Sequence, residues 1–338
     1  MTPIYRDLFW VVLLPVSWIY SVAVALALRI RRKTHTKIPV ISVGNLHLGG
    51  TGKTPAVIQL SAHFRKKKPA ILSRGYRSRF TKRGAKVEKN SLSGPRDFGD
   101  EPWEMSFSTS SDIFVGADRL NVLKKFDIQS SHGLIILDDG YQHVQISRAV
   151  NLLIIPGDEN PWESACFPLG TLREGLGSIK RASLVGITAS DPQSPWVEDW
   201  KQIISQIAPS TPLFVGVRKL ASVSDAKGNE FNSQTTRFGA FCGIGRPQRF
   251  ESDITHWARM DYFKSYADHH AYTKDDVQEL IKKARACSIG ALITTSKDFY
   301  KVADYFREAD FPLLVARTGY EFQPDFWQLM NQMVEQAC

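Results

Sequence analysis

Cysteine is scarce in this chain, and its few cysteines show no metal-ligand spacing. The 338 residues include four, Cys166, Cys242, Cys287 and Cys338, and no two of them form a C-x-x-C pair. A structural zinc site needs clustered thiolate or imidazole ligands, and a disulfide-stabilised fold needs many cysteines in a short chain. The sequence therefore predicts neither a zinc site nor a disulfide framework, and reduced thiols in a cytosolic body are the expectation.

Acidic residues are outnumbered, and no internal repeat is visible. Lysine and arginine total 43 against 34 aspartates and glutamates, which gives a formal net charge of +9. Such an excess favours an anionic partner, which can be a nucleic acid, a nucleotide, a phospholipid surface or a phosphorylated metabolite. Charge alone does not choose among them. A length of 338 residues with 43% apolar content predicts a substantial core and two domains.

Charged residues are missing from a long run near the N-terminus, Leu8 to Leu28. Its length is close to the roughly 20 residues that span a bilayer as a helix. A cleaved signal peptide and a buried core helix are alternatives, but the basic cluster RIRRKTHTK that follows resists translocation, and the run has no polar face. We interpret the run as a membrane anchor with that cluster on the cytoplasmic side, and whether it spans the bilayer or lies in the interface stays open. The aromatic residues suited to the interface are Trp10, Trp18 and Tyr20.

One glycine is missing from a glycine-rich stretch, VGNLHLGGTGKTP at positions 43–55. The phosphate-loop template G-x-x-x-x-G-K-[ST] would place its first glycine where this chain has His47. The stretch nevertheless joins a β-rich run, KIPVISV, to a segment with helical spacing, TPAVIQLSAHFRKK, and backbone amides converge on phosphate at such a turn. A glycine-rich turn with an unrelated lysine is the alternative. We predict a nucleotide-binding loop whose cofactor-binding residues are Gly49, Gly50, Thr51, Gly52, Lys53, Thr54 and Pro55.

Two adjacent acids follow a second apolar strand. Leu134 to Leu137 precede Asp138 and Asp139 in the stretch HGLIILDDGYQH. Parallel sheets place ligands at the carboxyl ends of their strands, so one of these carboxylates is expected to hold magnesium together with the Thr54 hydroxyl. Paired acids in a solvated turn are the alternative. In a chain with a phosphate loop, this pattern predicts a magnesium nucleotide site.

Signatures of two other nucleotide-binding classes are absent. A deviant-Walker partitioning ATPase reads K-G-G-x-G-K-T, but Leu48 stands where the signature lysine would be. A GTPase needs N-K-x-D, whereas Lys297 and Asp298 are adjacent in TTSKDFY. Guanine specificity is therefore not supported.

Eight motifs follow one another along the chain: VGNLHLGGTGKTP, LSRGYRS, GDEPWEM, VGADR, LDDGYQH, FPLGTLREGLGSIKRA, GIGRPQRF and ADHHAYT. In order and spacing they resemble those of the tetraacyldisaccharide 4'-kinase family, membrane enzymes of lipid A biosynthesis. The resemblance extends from the apolar N-terminal run almost to the C-terminus. Members of that family need no glycine at the position of His47. Arg77 and Gly175 depart from the family pattern, which puts loop geometry and acceptor contacts in question but not the reaction class.

The resemblance implies transfer of the ATP γ-phosphoryl group to the 4'-hydroxyl of an acylated glucosamine disaccharide 1-phosphate, with ATP and Mg²⁺ as cofactors. Lys53 would hold the phosphates, and the resemblance suggests that Asp100 and His269 act together as the base, although a metal or surface role is the alternative for the His269–His270 pair. The implied metal ligands are Thr54, Asp138, Asp139 and Glu174. The candidate acceptor-binding residues are Arg74, Tyr76, Arg119 and His143.

The expected fold class is α/β, with a P-loop NTPase-like α/β/α N-terminal domain, a smaller α/β C-terminal domain and an N-terminal membrane-associated helix. The expected boundaries are an anchor at 1–35, a kinase domain at 36–218, a two-stranded linker at 219–236 and a domain at 237–338 that closes over the active site. The expected location is the cytoplasmic face of the inner membrane, at an anionic surface, with no nucleic acid and no stable protein partner. A membrane-tethered ATPase or switch without a metabolite acceptor, and a nonenzymatic polyanion binder, are the rival functions.

Overall fold

The computed structural model describes residues 3–48, 52–89, 94–225, 227–229 and 237–337. Their strands are β1 (Val40–Gly44), β2 (Pro69–Ser73), β3 (Ala85–Lys86), β4 (Asp112–Val115), β5 (Leu134–Asp138), β6 (Val150–Pro156), β7 (Leu184–Ala189), β8 (Leu213–Ser224), β9 (Phe238–Cys242), β10 (Met260–Ser265), β11 (Ala291–Thr295) and β12 (Leu313–Glu321). Their α-helices are α1 (Pro3–Arg29), α2 (Lys53–His63), α3 (Gly94–Phe98), α4 (Asp100–Ser108), α5 (Arg119–Lys125), α6 (Ile128–Ser131), α7 (Pro195–Ile207), α8 (Pro247–Trp257), α9 (Lys274–Ala286), α10 (Ser296–Glu308) and α11 (Pro324–Glu335). The predicted mixed α/β fold is confirmed.

The chain divides into two compact units. Unit 1 comprises Met1–Arg218 and Tyr320–Cys338, and unit 2 comprises Lys219–Gly319. The C-terminal residues from Tyr320 onward therefore group with the N-terminal part of the chain, whereas the sequence placed all of 237–338 in one domain. Residues 226 and 230–236 of the expected linker lie outside the described residues.

Unit 1 is built on a mainly parallel sheet. Its strand order is β8-β7-β6-β1-β5-β2-β4-β3, and only the short edge pairing of β3 with β4 is antiparallel. The register pairs Val43 of β1 with Asp138 of β5, so the two strands end at the same edge of the sheet. The central strands are apolar and buried on both faces, as parallel strands covered by helices require.

Helix α2 starts directly after the turn that follows β1. Gly52 precedes it with φ of 80° and ψ of 24°, a left-handed conformation that glycine adopts without a Cβ clash. Ala56, Val57 and Leu60 lie on one face of α2 and are buried. This spacing fixes the direction of α2, and with it the position of Lys53 at the first turn.

Helix α1 buries a narrow stripe and exposes much of its apolar surface. The Ser17 hydroxyl donates a hydrogen bond to the carbonyl of Cys166 at 2.7 Å, and the rings of Tyr20 and Phe167 meet edge to face at 5.7 Å. Large exposed apolar side chains on the other faces are Leu14, Val16, Trp18, Ile19, Val22 and Leu26. None of the helices in the described part of the chain combines the length and the hydrophobicity that crossing a bilayer requires.

Unit 2 has its own parallel sheet and core. The strand order is β10-β9-β11-β12, and Thr294 on β11 registers with Phe241 of β9 and Val315 of β12. One apolar cluster combines buried residues of α9 and α10 with residues of the strands, and it includes Phe241, Leu280 and Phe306. A second cluster lies under α8.

Candidate active site

The start of α2, which carries Lys53, and the predicted acids lie at one edge of the sheet in unit 1. Gly49, Gly50 and Thr51 lie outside the described residues. Lys53, Thr54 and Pro55 form the first turn of α2, where unpaired backbone amides and the helix dipole favour an anion. Asp138 ends β5, and Asp139 follows it with a positive φ of 50° that turns the chain sharply.

Asp139 lies between two cations. Lys53 Nζ is 3.2 Å from Asp139 Oδ1, and Arg173 Nη1 donates to both carboxylate oxygens at 3.0 and 2.8 Å. Burial alone would raise the pKa of Asp139, but Lys53 and Arg173 outweigh it and hold that pKa well below its ordinary value. Asp139 is therefore an anion that fixes the Lys53 ammonium at the helix N-terminus.

Asp138 has the opposite electrostatic environment. It is only 3% exposed, and it accepts a hydrogen bond from the Ser73 hydroxyl at 2.8 Å. Burial, then the negative charges of Glu101 and Asp139, raise its pKa to about 6. Asp138 is therefore harder to ionise than its neighbour Asp139.

Glu174 is buried in a hydrogen-bonded group of its own. Arg181 Nη2 lies 2.7 Å from Glu174 Oε2, and the Gln142 amide donates to Glu174 Oε1 at 2.8 Å. The same amide donates to the carbonyl of Asn45 at 3.0 Å, so it ties the Glu174 segment to the chain that leaves β1. The described residues contain no group of three or more His, Cys, Asp and Glu side chains placed to hold one metal ion.

The oxygen donors at this edge nevertheless suit magnesium. Mg²⁺ in nucleotide sites is commonly held by one or two carboxylates together with phosphate oxygens. Asp138, Asp139 and the Thr54 hydroxyl are hard oxygen ligands, and a divalent cation would stabilise the ionised form of Asp138, which burial and then the charges of Glu101 and Asp139 disfavour. Glu174 is engaged by Arg181 and Gln142 instead.

Two of the candidate acceptor-binding residues are buried beside the acids. Arg119 Nη2 donates to the backbone carbonyl of Asp138 at 3.2 Å. Burial, then the charges of Arg119, Arg148 and Arg31, lower the pKa of His143 to about 3, so His143 is neutral at pH 7. Arg119 Nε and His143 Nε2 are buried and have no hydrogen-bond partner among the described residues.

The other two acceptor candidates are exposed at the same edge. Arg74 follows β2 and is near enough to Arg119 to lower the Arg119 pKa, after the larger effect of burial. The Tyr76 ring is exposed and lies 5.3 Å from the guanidinium carbon of Arg77. The structure thus brings the cations Arg74 and Arg119 together, with the neutral His143 close to Arg119.

Asp100 and His269 belong to different units. Asp100 begins α4 directly after Gly99, while its neighbour Glu101 is the residue whose charge acts on Asp138. In unit 2, His269 is exposed and has a left-handed φ of 61°. Its Nε2 lies 3.3 Å from Lys297 Nζ, which also contacts Asp268 Oδ1 at 3.2 Å.

Sequence reasoning did not assign several residues that organise this site. Ser73, Glu101, Gln142, Arg173 and Arg181 hold or charge the acids that it did assign. Four of them stand in or beside the quoted motifs GDEPWEM, LDDGYQH and LREGLGSIKRA. Their closeness in sequence to the assigned acids was the available signal for a role in the site. Their hydrogen-bond and ion-pair partners depend on tertiary contacts, which a sequence motif does not show.

A parallel sheet whose strand ends carry paired carboxylates, with a lysine at the adjoining helix N-terminus, defines the class of nucleotide-dependent phosphotransferases. The family described as Tetraacyldisaccharide-1-P 4'-kinase matches residues 9–335 of the chain. The chain belongs to this family.

Individual relatives agree with this assignment. The chain is 31% identical over 312 residues to the tetraacyldisaccharide 4'-kinase of Desulfotalea psychrophila, a match that covers 88% of each protein. It is 33% identical over 304 residues to that of Shewanella oneidensis, which covers 88% of this chain and 84% of the relative. The chain is an ATP-dependent phosphotransferase that acts on a hydroxyl group.

The fold is also similar to a solved structure. The crystal structure of LpxK from Aquifex aeolicus, described as an "apo" form in complex with ATP, superposes with a TM-score of 0.76 at 23% identity. The similarity covers 96% of this chain and 99% of that one. This similarity supports the fold.

Proposed function

We propose that the chain transfers the γ-phosphoryl group of magnesium-bound ATP to the 4'-hydroxyl of a tetraacyl glucosamine disaccharide 1-phosphate, at the cytoplasmic face of the inner membrane. The observation that carries this proposal is the Lys53–Asp139 contact of 3.2 Å at the start of α2. It supports the proposal because an ammonium at a helix N-terminus is suited to the phosphates of a nucleotide. Family membership supplies the acceptor class.

The roles follow from what phosphoryl transfer requires of a protein, which is mainly positioning and charge stabilisation. Lys53 and the amides of the first turn of α2 bind the phosphates, and Asp139 with Arg173 keeps Lys53 in place before ATP arrives. Thr54, Asp138 and Asp139 would hold Mg²⁺, with Glu174 as a further candidate. When bound, the ion supplies positive charge against the phosphate oxygens.

The acceptor hydroxyl has to lose its proton. Asp100 and His269 are the proposed base, as the family resemblance implies, and they are assigned by their chemistry. Neutral imidazole accepts a proton near pH 7, and a carboxylate fixes its tautomer. A sugar hydroxyl gains from such a group in line with the γ-phosphorus.

The anionic disaccharide head is proposed to bind the guanidinium groups of Arg74 and Arg119, with the neutral His143 and Tyr76 as further acceptor-binding residues. Arg119 Nε and His143 Nε2 support this role because a buried polar atom without a protein partner gains most from a ligand oxygen. Guanidinium groups are suited to phosphate, which accepts two parallel hydrogen bonds.

Helix α1 is the proposed membrane-binding element. Its exposed face carries Trp18, which is 67% exposed, and it is followed by the exposed cations Arg31, Arg32 and Lys33. Apolar side chains beside a basic cluster bind anionic lipid surfaces. A chain that begins at His35 should lose binding to anionic vesicles yet still bind ATP. Unchanged vesicle binding would move the attachment surface elsewhere.

The test of the reaction is incubation of the full chain with γ-labelled ATP, Mg²⁺ and a lipid A precursor that lacks the 4'-phosphate. Label should appear on the lipid at the 4'-position. ATP hydrolysis that is equal with and without the lipid, with no labelled lipid, would favour the membrane-tethered ATPase instead.

A further inference from the structure

The phosphate-binding turn has a neighbour from the far end of the chain. A Cβ added at Gly52 would overlap the hydroxyl of Tyr320, so the phenol lies directly against the turn where α2 begins. Tyr320 is 6% exposed, and it is the first residue of the C-terminal segment that belongs to unit 1. Gly52 is therefore enclosed by a side chain and has a left-handed φ at the same time.

The backbone of Tyr320 is fixed by α2 itself. The Gln59 side-chain oxygen accepts from the Tyr320 amide at 3.1 Å, and its side-chain nitrogen donates to the Tyr320 carbonyl at 2.7 Å. Gln59 stands seven positions after Gly52, which is two helical turns and the same face of α2. Gly52 and Gln59 thus lie on the same face of α2. Gln59 holds the backbone of Tyr320, and the side chain of Tyr320 covers Gly52.

The segment after Tyr320 is anchored independently of this clamp. Phe322 stacks on Phe326 with ring centroids 4.1 Å apart, and a Cβ on Gly216 would overlap the Phe322 ring. Farther along α2, His63 contacts Asn331 at 2.8 Å and stacks on Trp327 at 4.5 Å. The segment would stay attached to unit 1 if the hydroxyl of Tyr320 were removed.

We propose that Tyr320 is a positioning residue for nucleotide binding: its hydroxyl, placed by Gln59, holds the turn at Gly52 in the conformation that presents the first amides of α2 to phosphate. The inference rests on the proposed use of this turn to bind ATP. Glycine samples left-handed and right-handed regions about equally, so a contact that restricts it lowers the conformational cost of binding. Tyr320 touches the turn and is assigned no part in the chemistry.

The experiment measures ATP affinity by calorimetry and thermal unfolding on the same full-length variants. Tyr320→Phe removes only the hydroxyl, which is the group that lies against Gly52, and should raise the Kd for ATP about three- to tenfold. Its unfolding midpoint should stay near that of the wild type. Gln59→Ala releases the backbone of Tyr320 and should raise the Kd at least as much.

His63→Ala is the matched control, because it removes a contact between the same helix and the same segment one turn beyond Gln59. It should lower the unfolding midpoint and leave the Kd for ATP unchanged. Wild-type affinity in Tyr320→Phe, or an equal loss in His63→Ala, would overturn the inference. Failure of the wild type to bind ATP would refute the proposed nucleotide site instead, so the two failures are distinguishable.

Discussion

The candidate acids of unit 1 and the candidate base of unit 2 differ in burial. In unit 1 the acids are largely buried and each has assigned partners: Lys53 and Arg173 for Asp139, and Arg181 for Glu174. In unit 2 the side chain of His269 is 39% exposed, and its neighbour Asp268 is 46% exposed. Exposed charge pairs contribute little, whereas dipoles fixed in a buried site stabilise charge without reorganising. Unit 1 is therefore expected to supply preorganised electrostatics, and His269 to act only through direct contact with the reacting group.

The largest expected effect is loss of the preorganised cation. Lys53→Ala should lower kcat by at least about 10³-fold, because no other group replaces the ammonium at the helix N-terminus. Lys53→Arg keeps the positive charge and should lower kcat by a smaller factor. Steady-state kinetics checks this, with circular dichroism to establish that both variants are folded. Near-native turnover of Lys53→Ala would remove the phosphate-binding assignment.

The second prediction tests the contribution of unit 2. Asp100→Ala and His269→Ala should each lower kcat by about 10²- to 10⁴-fold, with little change in the KM for ATP, since a base acts in the transition state. If the two residues act as one group, the double variant should be little slower than the slower single variant. Fully additive losses, or normal kcat in His269→Ala, would leave Asp100 to act without His269.

The third prediction compares an ion pair from each unit. Arg181→Ala leaves the buried Glu174 carboxylate without its cation and should lower the free energy of unfolding by about 3 kcal/mol. Arg259→Ala in unit 2 removes a largely exposed partner of Asp261, whose ion pair with Arg237 remains. This variant should change the free energy of unfolding by less than about 1 kcal/mol. Denaturant unfolding measures both. Equal losses would mean that burial does not distinguish the two units.

The fourth prediction concerns the pH dependence of stability, and its effect vanishes above about pH 6.5. Burial and neighbouring arginines lower the pKa of His143 to about 3, against about 6.5 in the unfolded chain. Below about pH 6.5 His143 binds a proton in the unfolded chain but not in the folded chain. The free energy of unfolding therefore falls as the pH drops from about 6.5 toward 3. His143→Gln cannot titrate and should show a shallower decline of the unfolding midpoint between about pH 6.5 and 4. Parallel curves would contradict the buried, neutral state of His143.

The sequence alone predicted the strand-turn-helix unit and the paired acids, because local patterns determine both. Apolar runs identified β1 and β5, and acids after a parallel strand belong at its carboxyl end. Local patterns could not show that Asp139, and not Asp138, contacts Lys53. That choice depends on the positive φ at Asp139, which turns the two neighbouring carboxylates into different environments.

The sequence alone also could not predict that the segment from Tyr320 onward belongs to unit 1. The apolar residues of LLVA are typical of a buried strand, and β12 begins with them. Which sheet or helix its last residues join depends on long-range partners such as Gln59, which is 261 positions away from Tyr320. Periodicity identifies an element, and the identity of its neighbour is tertiary information.

The place of this segment in unit 1 has a consequence for biosynthesis. Unit 1 is discontinuous, because Met1–Arg218 precede unit 2 along the chain and Tyr320–Cys338 follow it. During translation the start of α2 therefore lacks its neighbour Tyr320 until unit 2 has been synthesised. Domains that are continuous in sequence can fold as they leave the ribosome, whereas unit 1 is completed only when residues from both sides of unit 2 are present.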